Sequence, residues 1–405
     1  MKNFFKLIRQ YFNKTFHRKI NLVFVCHRPA VWGALKTVFD NAIQDNSFNI
    51  TIIAIPNKKQ LPGRNFEHEV YESEGAEEFF KDYPCHVING YNYQTKEWVN
   101  LKKIHPDYLF LQTPYDVCRP KLFKSSKIYK YTNICYMHYG VSMLKQSVIS
   151  EFAKDFYQYT HLIFAETKYH KVHYEQEIKK HKKSFNVDNI KLTGFPAFDN
   201  LTQYKDQKSE LWKHNGDFFK VLWTPRWTTG ENNCHFEEYK DFLFNYCENK
   251  DIDFIFRPHP QAFLNYVSER LLSDTDIQHL KNKYANSKNC SLDNGKEYLK
   301  TIYSSDVLVT DASGMIFEYF LTEKPVIYCN KSTEWANDYS LKVLDAAYWV
   351  ENQEELVHTL EMLKCGHDPL KERRLKMIHN LYYLPLKGAG YSIKELIKED
   401  FYGGT

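Results

Sequence analysis

Residues Asp306–Asn330 read DVLVTDASGMIFEYFLTEKPVIYCN, and the fold turns on how this stretch is read. Val307, Leu308 and Val309 form a short apolar run, as expected of a strand buried in a parallel sheet. Thr310-Asp311-Ala312-Ser313-Gly314 is a turn of small residues that lets a ligand approach the backbone closely. Met315 to Leu321 is expected to be helical, with Asp311 or Ser313 as its cap. Val326, Ile327 and Tyr328 begin the next strand. This order places free N–H groups and positive partial charge beyond a strand's carboxyl end, a setting suited to phosphate. The same residues also suit a plain capped connection between two strands, with no ligand.

A chain of 405 residues exceeds what one hydrophobic core usually serves, so two domains are expected. With 43% hydrophobic and 26% charged residues it has an ordinary globular composition. Aromatics reach 16%, which is read as a bulky core. The formal net charge of +4 is too small to point to nucleic acid. Nine Cys stand singly without a CxxC pair, which suggests free thiols in a reducing compartment and neither a disulfide frame nor a zinc site. The sequence contains no apolar run of about 18 residues and no signal-peptide core.

The first residues, MKNFFKLIRQYFNKTFHRKI, carry Lys2, Lys6, Arg9, Lys14, Arg18 and Lys19 and no acid. Phe5, Ile8, Phe12 and Phe16 recur at helical spacing. Residues 1–19 therefore read as a basic amphipathic helix suited to an anionic membrane surface. Such a helix can equally pack on the protein's own body.

Strand readings follow at Asn21–Cys26, Ile50–Ile55, Asp107–Gln112, Asn133–Met137, Leu162–Ala165 and Asn189–Leu192, with helical stretches between most of them. The turn His27–Gly33 is not a GxGxxG and gives no dinucleotide fingerprint. Residues 200–219 are polar and unpatterned, and the domain crossing is placed there. Lys220–Trp223, Ile252–Phe256 and a short strand near Cys290 precede the opening stretch, with helix expected up to about Lys288. The expected division is 20–205, 206–365 and a helical C-terminal segment 366–405. Two strand–helix runs of similar size imply an α/β fold of two doubly wound domains facing a cleft.

Four turns follow strands: Tyr136–Gly140, Trp223–Trp227, Arg257–Pro260 and the Asp311 turn. In Arg257-Pro258-His259-Pro260 two prolines fix the backbone around one imidazole. Arg can fork onto phosphate oxygens, and His can donate a proton or a hydrogen bond. The bland alternative is an exposed His beside a salt-bridged Arg. His138 follows a buried strand and suits a general base, or a satisfied interior His. Asp251-Ile252-Asp253 is read as solvated turn residues, and His170 and His173 as a solvated helix face. No GxSxG, HExxH or P-loop occurs, and no metal ligands are assigned.

Taken together, YMHYG at Tyr136, GFPAFDNL at Gly194, VLWTPRW at Val221, RPHP at Arg257 and TDASGMIFEYFLTEKPVIY at Thr310 resemble the CDP-glycerol glycerophosphotransferases, the teichoic-acid primase and polymerase family with relatives in capsule synthesis. The resemblance covers roughly residues 130–330. It implies a GT-B-like fold and transfer of an alditol phosphate from a CDP-activated donor to a membrane-linked hydroxyl. It implies His138 as base, His259 on the donor phosphates, and Asp311 and Ser313 at the donor's phosphate or glycerol end. Thr310, Gly314 and Glu318 join the donor set. Arg257 and Arg226 are added from their charge. The family's first His is usually followed directly by Gly, but Tyr139 intervenes here. Gly314 stands at the family's second Ser, and Glu318 at its later Asp. Glycerol, ribitol or another alditol therefore all fit.

No protein cofactor is expected, though a divalent cation such as Mg can ride on the donor's pyrophosphate. The expected partners are CDP-glycerol or a related CDP-alditol, a lipid- or glycan-linked acceptor and an anionic membrane surface, with no nucleic acid. The expected location is the cytoplasm, peripheral on the inner face of the bacterial membrane. Two other readings share these features. One is a glycosyltransferase of the same fold using a nucleotide sugar. The other is a non-catalytic, membrane-associated part of a capsule-assembly complex.

Overall fold

The computed structural model describes residues 2–58, 69–145, 153–181, 187–214, 216, 218–295 and 298–403. The chain divides into two compact units. The first is Met1–Ser142 with Gln146–Asp199 and Tyr383–Thr405; the second is Met143–Lys145 with Asn200–Tyr382. Each is built on a parallel sheet between helices, the doubly wound arrangement of a GT-B-like α/β fold.

In the first unit the strands are β1 (Ile20–Cys26), β2 (Phe48–Ala54), β3 (His86–Asn89), β4 (Tyr108–Leu111), β5 (Asn133–Met137), β6 (Thr160–Ala165) and β7 (Ile190–Leu192). Their order across the sheet is β7-β6-β5-β4-β1-β2-β3. The central strands are continuous apolar runs because helices cover both faces: Leu22, Phe24, Leu109, Phe110, Ile134 and Phe164 are all fully buried. β3 is not among the strands expected from sequence. HVIN is an edge strand whose first and last residues are exposed, so it carries no apolar run. Gln112 fills the turn after β1, its Oε1 accepting from the His27 and Arg28 amides at 2.7 and 2.9 Å.

The expected C-terminal helical segment is divided between the units. Helix Lys371–Leu381 stays with the second, where buried Arg374 bonds the Asp368 carboxylate and, at 2.8 Å, the Glu323 carbonyl. Helix Ala389–Tyr402 returns to the first. Asp199 receives its opening amides, Ala389 at 2.7 Å and Gly390 at 2.8 Å, and also the Thr37 hydroxyl at 2.6 Å. A Cβ on Gly390 would lie 2.4 Å from the Thr37 carbonyl carbon, so this close approach admits only glycine.

The N-terminal segment forms helix Lys2–Thr15 and lies on helix Ala389–Tyr402. Gln10 and Asn13 donate to the Asp400 and Phe401 carbonyls at 3.0 and 3.3 Å. Arg18 meets Asp107 at 2.8 Å. Leu7, Ile8, Tyr11, Phe12 and Phe16 remain exposed. Among the described residues no helix is long and apolar enough to cross a membrane.

In the second unit the strands are β8 (Phe219–Thr224), β9 (Ile252–Phe256), β10 (Cys290–Leu292), β11 (Val307–Thr310), β12 (Val326–Cys329) and β13 (Tyr348–Val350), in the order β10-β9-β8-β11-β12-β13. The opening stretch folds as read: β11, a turn, helix Met315–Phe320 and β12. Trp223, Phe236, Phe256 and Tyr266 stack in the core beneath the strand ends. The helix expected up to about Lys288 is two helices, Ala262–Ser268 and Asp274–Ala285, the latter opened by a Ser273–Asp276 capping box.

Two surface readings are corrected. Asp253 is fully buried in β9 and receives the His214 amide at 3.0 Å, with His214 Nδ1 at 2.7 Å. His170 is also fully buried, held between the Thr167 hydroxyl at 2.8 Å and the Ser142 carbonyl at 2.9 Å. Both are polar groups taken inside with their partners, which local sequence cannot reveal.

Candidate functional site

The site residues stand at the carboxyl ends of parallel strands, where open α/β sheets present ligands. In the first unit, His138 follows β5 directly. Its Nδ1 lies against the Gly140 carbonyl, which must accept from it, so the neutral ring keeps its lone pair on Nε2. The Gly140 amide, 3.3 Å from the same nitrogen, is the more distant partner. The intervening Tyr139 stacks on the imidazole at 4.6 Å and meets Tyr115 through its hydroxyl at 3.2 Å. Burial lowers the His138 pKa, and the Gly140 carbonyl partly offsets this. The ring is thus held neutral and oriented.

In the second unit, His259 follows β9 within the rigid prolyl turn and is exposed. The Gln261 amide donates to its Nδ1 at 3.2 Å, which leaves the proton of the neutral ring on Nε2. His259 and His138 are therefore set in opposite senses, one offering a donor and the other an acceptor. Trp227 lies beside His259 with ring centroids 6.1 Å apart.

Arg257 meets Asp293 at 2.5 Å, donates to the Gly295 carbonyl at 2.9 Å, and lies over the Tyr298 ring. Tyr298 in turn donates to Glu318 at 2.8 Å. Burial pushes the Glu318 carboxyl up to about 7; the Tyr298 hydroxyl and Arg257 only partly oppose this. Arg257, Asp293, Tyr298 and Glu318 form one cluster, in which the guanidinium is already neutralised by Asp293. Asp293 and Tyr298 were not picked out from sequence, since neither lies in a recognisable motif.

The raised Glu318 pKa has a consequence for stability. Between an unfolded value near 4.5 and about 7 the folded protein holds this proton more tightly than the unfolded chain, so stability falls as pH rises through that window. Glu318→Gln is expected to remove about 1–3 kcal/mol of that fall. Urea unfolding of both proteins at pH 5 and pH 8 measures it; parallel pH trends would contradict the expectation.

The Asp311 turn departs from its sequence reading. Thr310 is fully buried, its hydroxyl donating to the Thr224 carbonyl at 2.7 Å. Asp311 is also buried and does not cap the following helix. Its Oδ2 receives the Arg226 and His235 amides, both at 3.1 Å, and its Oδ1 meets His235 Nδ1 at 3.0 Å. Arg226 braces the same turn, donating to the Ala312 carbonyl at 2.9 Å and pairing with Glu231. Thr310, Asp311 and Arg226 thus shape the turn from inside. Ser313 and Gly314 form its accessible edge: the Ser313 hydroxyl accepts from the Met315 amide at 3.2 Å, and open space lies beyond Gly314.

His235, absent from the sequence reading, also lines a cavity of about 520 Å³ with Glu238, Tyr239, Lys331 and Gln353. Among the described residues no three His, Cys, Asp or Glu side chains stand together as metal ligands.

The model of the family described as CDP-glycerol:poly(glycerophosphate) glycerophosphotransferase matches residues 99–383. A curated relative, the minor teichoic acid biosynthesis protein GgaB of Bacillus subtilis (strain 168), is 23% identical over 225 residues. That match covers 51% of this chain and 23% of GgaB, so the chain spans about a quarter of that relative's length. Among solved structures, a variant of the wall teichoic acid polymerase TagF aligns with TM-score 0.59 at 12% identity, covering 99% of this chain and 98% of the other. The UDP-GlcNAc 2-epimerase of Neisseria meningitidis, bound to UDP-GlcNAc, aligns with TM-score 0.56 at 12% identity over 95% and 100% of the two chains. At such identities these two carry the fold alone. The family match takes in both histidine turns and the Asp311 turn, and on that match the chain belongs to the CDP-glycerol:poly(glycerophosphate) glycerophosphotransferase family.

Proposed function

We propose that this protein transfers glycerol phosphate, or a related alditol phosphate, from a CDP-activated donor to a hydroxyl of a lipid- or glycan-linked acceptor. CMP is released, and the product belongs to bacterial teichoic acid or capsule polysaccharide. The observation that carries this reading is the opposite setting of the two strand-end histidines in a chain of this family.

The acceptor oxygen attacks the donor's β-phosphorus in line, and its proton passes to His138 Nε2. The new P–O bond forms as the bond to the CMP oxygen breaks, and CMP takes that electron pair. His259 Nε2–H donates to the phosphoryl oxygens, and the Ser313–Gly314 edge receives the phosphate or glycerol end. Glu318 and Tyr298 supply hydrogen bonds to the donor's hydroxyl groups, and Arg257, its charge balanced by Asp293, lies over the Tyr298 ring and holds that pair in place. This is positioning and electrostatic work. A divalent ion such as Mg would travel on the donor's pyrophosphate, as part of the substrate.

The test is CMP release from a panel of CDP-alditols, with UDP-sugars as the contrast and with or without a lipid-linked acceptor. Acceptor-dependent CMP release supports the reading. UDP release from a nucleotide sugar, with no CMP, would replace it with glycosyl transfer.

The N-terminal helix supports a peripheral membrane location. Leu7, Tyr11, Phe12 and Phe16 stay exposed on a basic segment whose other side meets helix Ala389–Tyr402. Replacing Leu7, Tyr11 and Phe12 together by Ser is expected to reduce co-sedimentation with anionic vesicles at least about tenfold. Activity on a soluble acceptor should persist. Unchanged sedimentation would end the membrane reading.

A further inference from the structure

We propose that Glu166 is a positioning residue for His138, its carboxylate supplying the counter-charge to the imidazolium that forms when Nε2 takes the acceptor's proton. This rests on the assignment of His138 as the base. β6 pairs in parallel with β5, with Phe164 beside Met137, so the residues just beyond the two strands come out next to one another. Glu166 is the carboxylate this register delivers to His138. Its Oε1 lies 4.0 Å from His138 Nδ1.

Glu166 is 1% exposed, and among the described residues neither of its oxygens meets a side-chain hydrogen-bond partner. A buried carboxyl without side-chain partners is costly. What it does have is a histidine within charge-pairing range.

Among the described residues, the other titratable groups around this pair are held neutral. Tyr136 from β5, Tyr157 from helix Lys154–Tyr159 and Tyr174 from helix Lys168–His181 bring buried hydroxyls to the same enclosure. Burial holds all three phenols, and Tyr139, above their ordinary range, so they stay neutral at working pH. Tyr115 faces this group through the Tyr139 hydroxyl. His170, on the same helix as Tyr174, is lowered to about 4 by burial and is neutral as well. Burial pushes the Glu166 carboxyl up to about 8.

Below that pH both members rest neutral. Above it the carboxylate favours the protonated ring through space, which raises the basicity of Nε2. The two groups therefore titrate as a coupled pair, and turnover should climb as Glu166 loses its proton to solvent.

The test combines two readouts on the full chain. CMP release from CDP-glycerol is followed from pH 6 to 9.5 for the wild type, Glu166→Gln and Glu166→Asp. The imidazole signals of His138, assigned by their loss in His138→Gln, are followed by NMR over the same range. In the wild type the rate should rise, and the His138 signals should inflect, near pH 8. Glu166→Gln should lose both features and release CMP at least about tenfold more slowly at pH 8.5. Glu166→Asp should restore part of each.

Wild-type His138 signals with no inflection near pH 8 would overturn the pairing, whatever the variants do. Superimposable rate profiles for the wild type and Glu166→Gln would overturn it as well. Should His138→Ala retain wild-type CMP release while the wild-type His138 signals inflect near pH 8, the base assignment fails and the positioning role falls with it. The charge coupling then stands as a separate fact.

Discussion

His138→Ala is expected to lower the rate of CMP release by about 10²–10⁴, the usual worth of a positioned general base. The donor's KM should change little, because the imidazole is assigned to the acceptor's proton and not to the nucleotide. His259→Ala is expected to lower turnover by at least about 10² and also to raise the donor KM, since its Nε2–H is assigned to the donor phosphates. Initial rates of CMP release at varied CDP-glycerol separate the two. Equal loss of donor affinity in both variants would contradict the division of roles. Both substitutions should leave the fold intact. His138 bonds the neighbouring Gly140 backbone, stacks on Tyr139 and stands 4.0 Å from the Glu166 carboxylate, and His259 is exposed on a turn that two prolines already fix.

Asp311→Ala is the second large effect, and it should appear in stability before it appears in kinetics. The carboxylate receives two backbone amides and the imidazole of His235, all inside the protein. Removing it strands three buried donors around one cavity, and an unsatisfied buried donor costs about 1–3 kcal/mol. The losses share one site and will not add fully, so a net loss of roughly 3–5 kcal/mol is expected. Asp311→Asn should recover part of it, since the amide oxygen can still accept. Urea unfolding monitored by tryptophan fluorescence measures the loss. A variant of wild-type stability whose only defect is a raised donor KM would return Asp311 to the donor phosphates.

His138, His259 and the Asp311 turn were legible because each is punctuation in the sequence. They are a polar residue after an apolar run, a His between prolines, and small residues between a strand and a helix. The partners that define their roles were not. Asp293 and Tyr298 reach Arg257 and Glu318 from separate segments, and His235 lies 76 residues from Asp311. Nothing in the local sequence of these residues records the pairing. The edge strand His86–Asn89 escaped for a related reason, its alternation being too short and too polar to stand out.

Sequence alone determined the alternation of strands and helices, the division into two α/β units and the family, because apolar periodicity and turn chemistry act over a few neighbouring residues. Tertiary structure decided which polar groups are consumed in building the site and which are left to act. Asp311 and Arg226 face inward to shape a turn, while Glu166 is brought beside His138 by the pairing of two parallel strands. The reason is that burial and electrostatic partnership are set by distance in space, which strand order fixes and the spacing of residues along the chain does not.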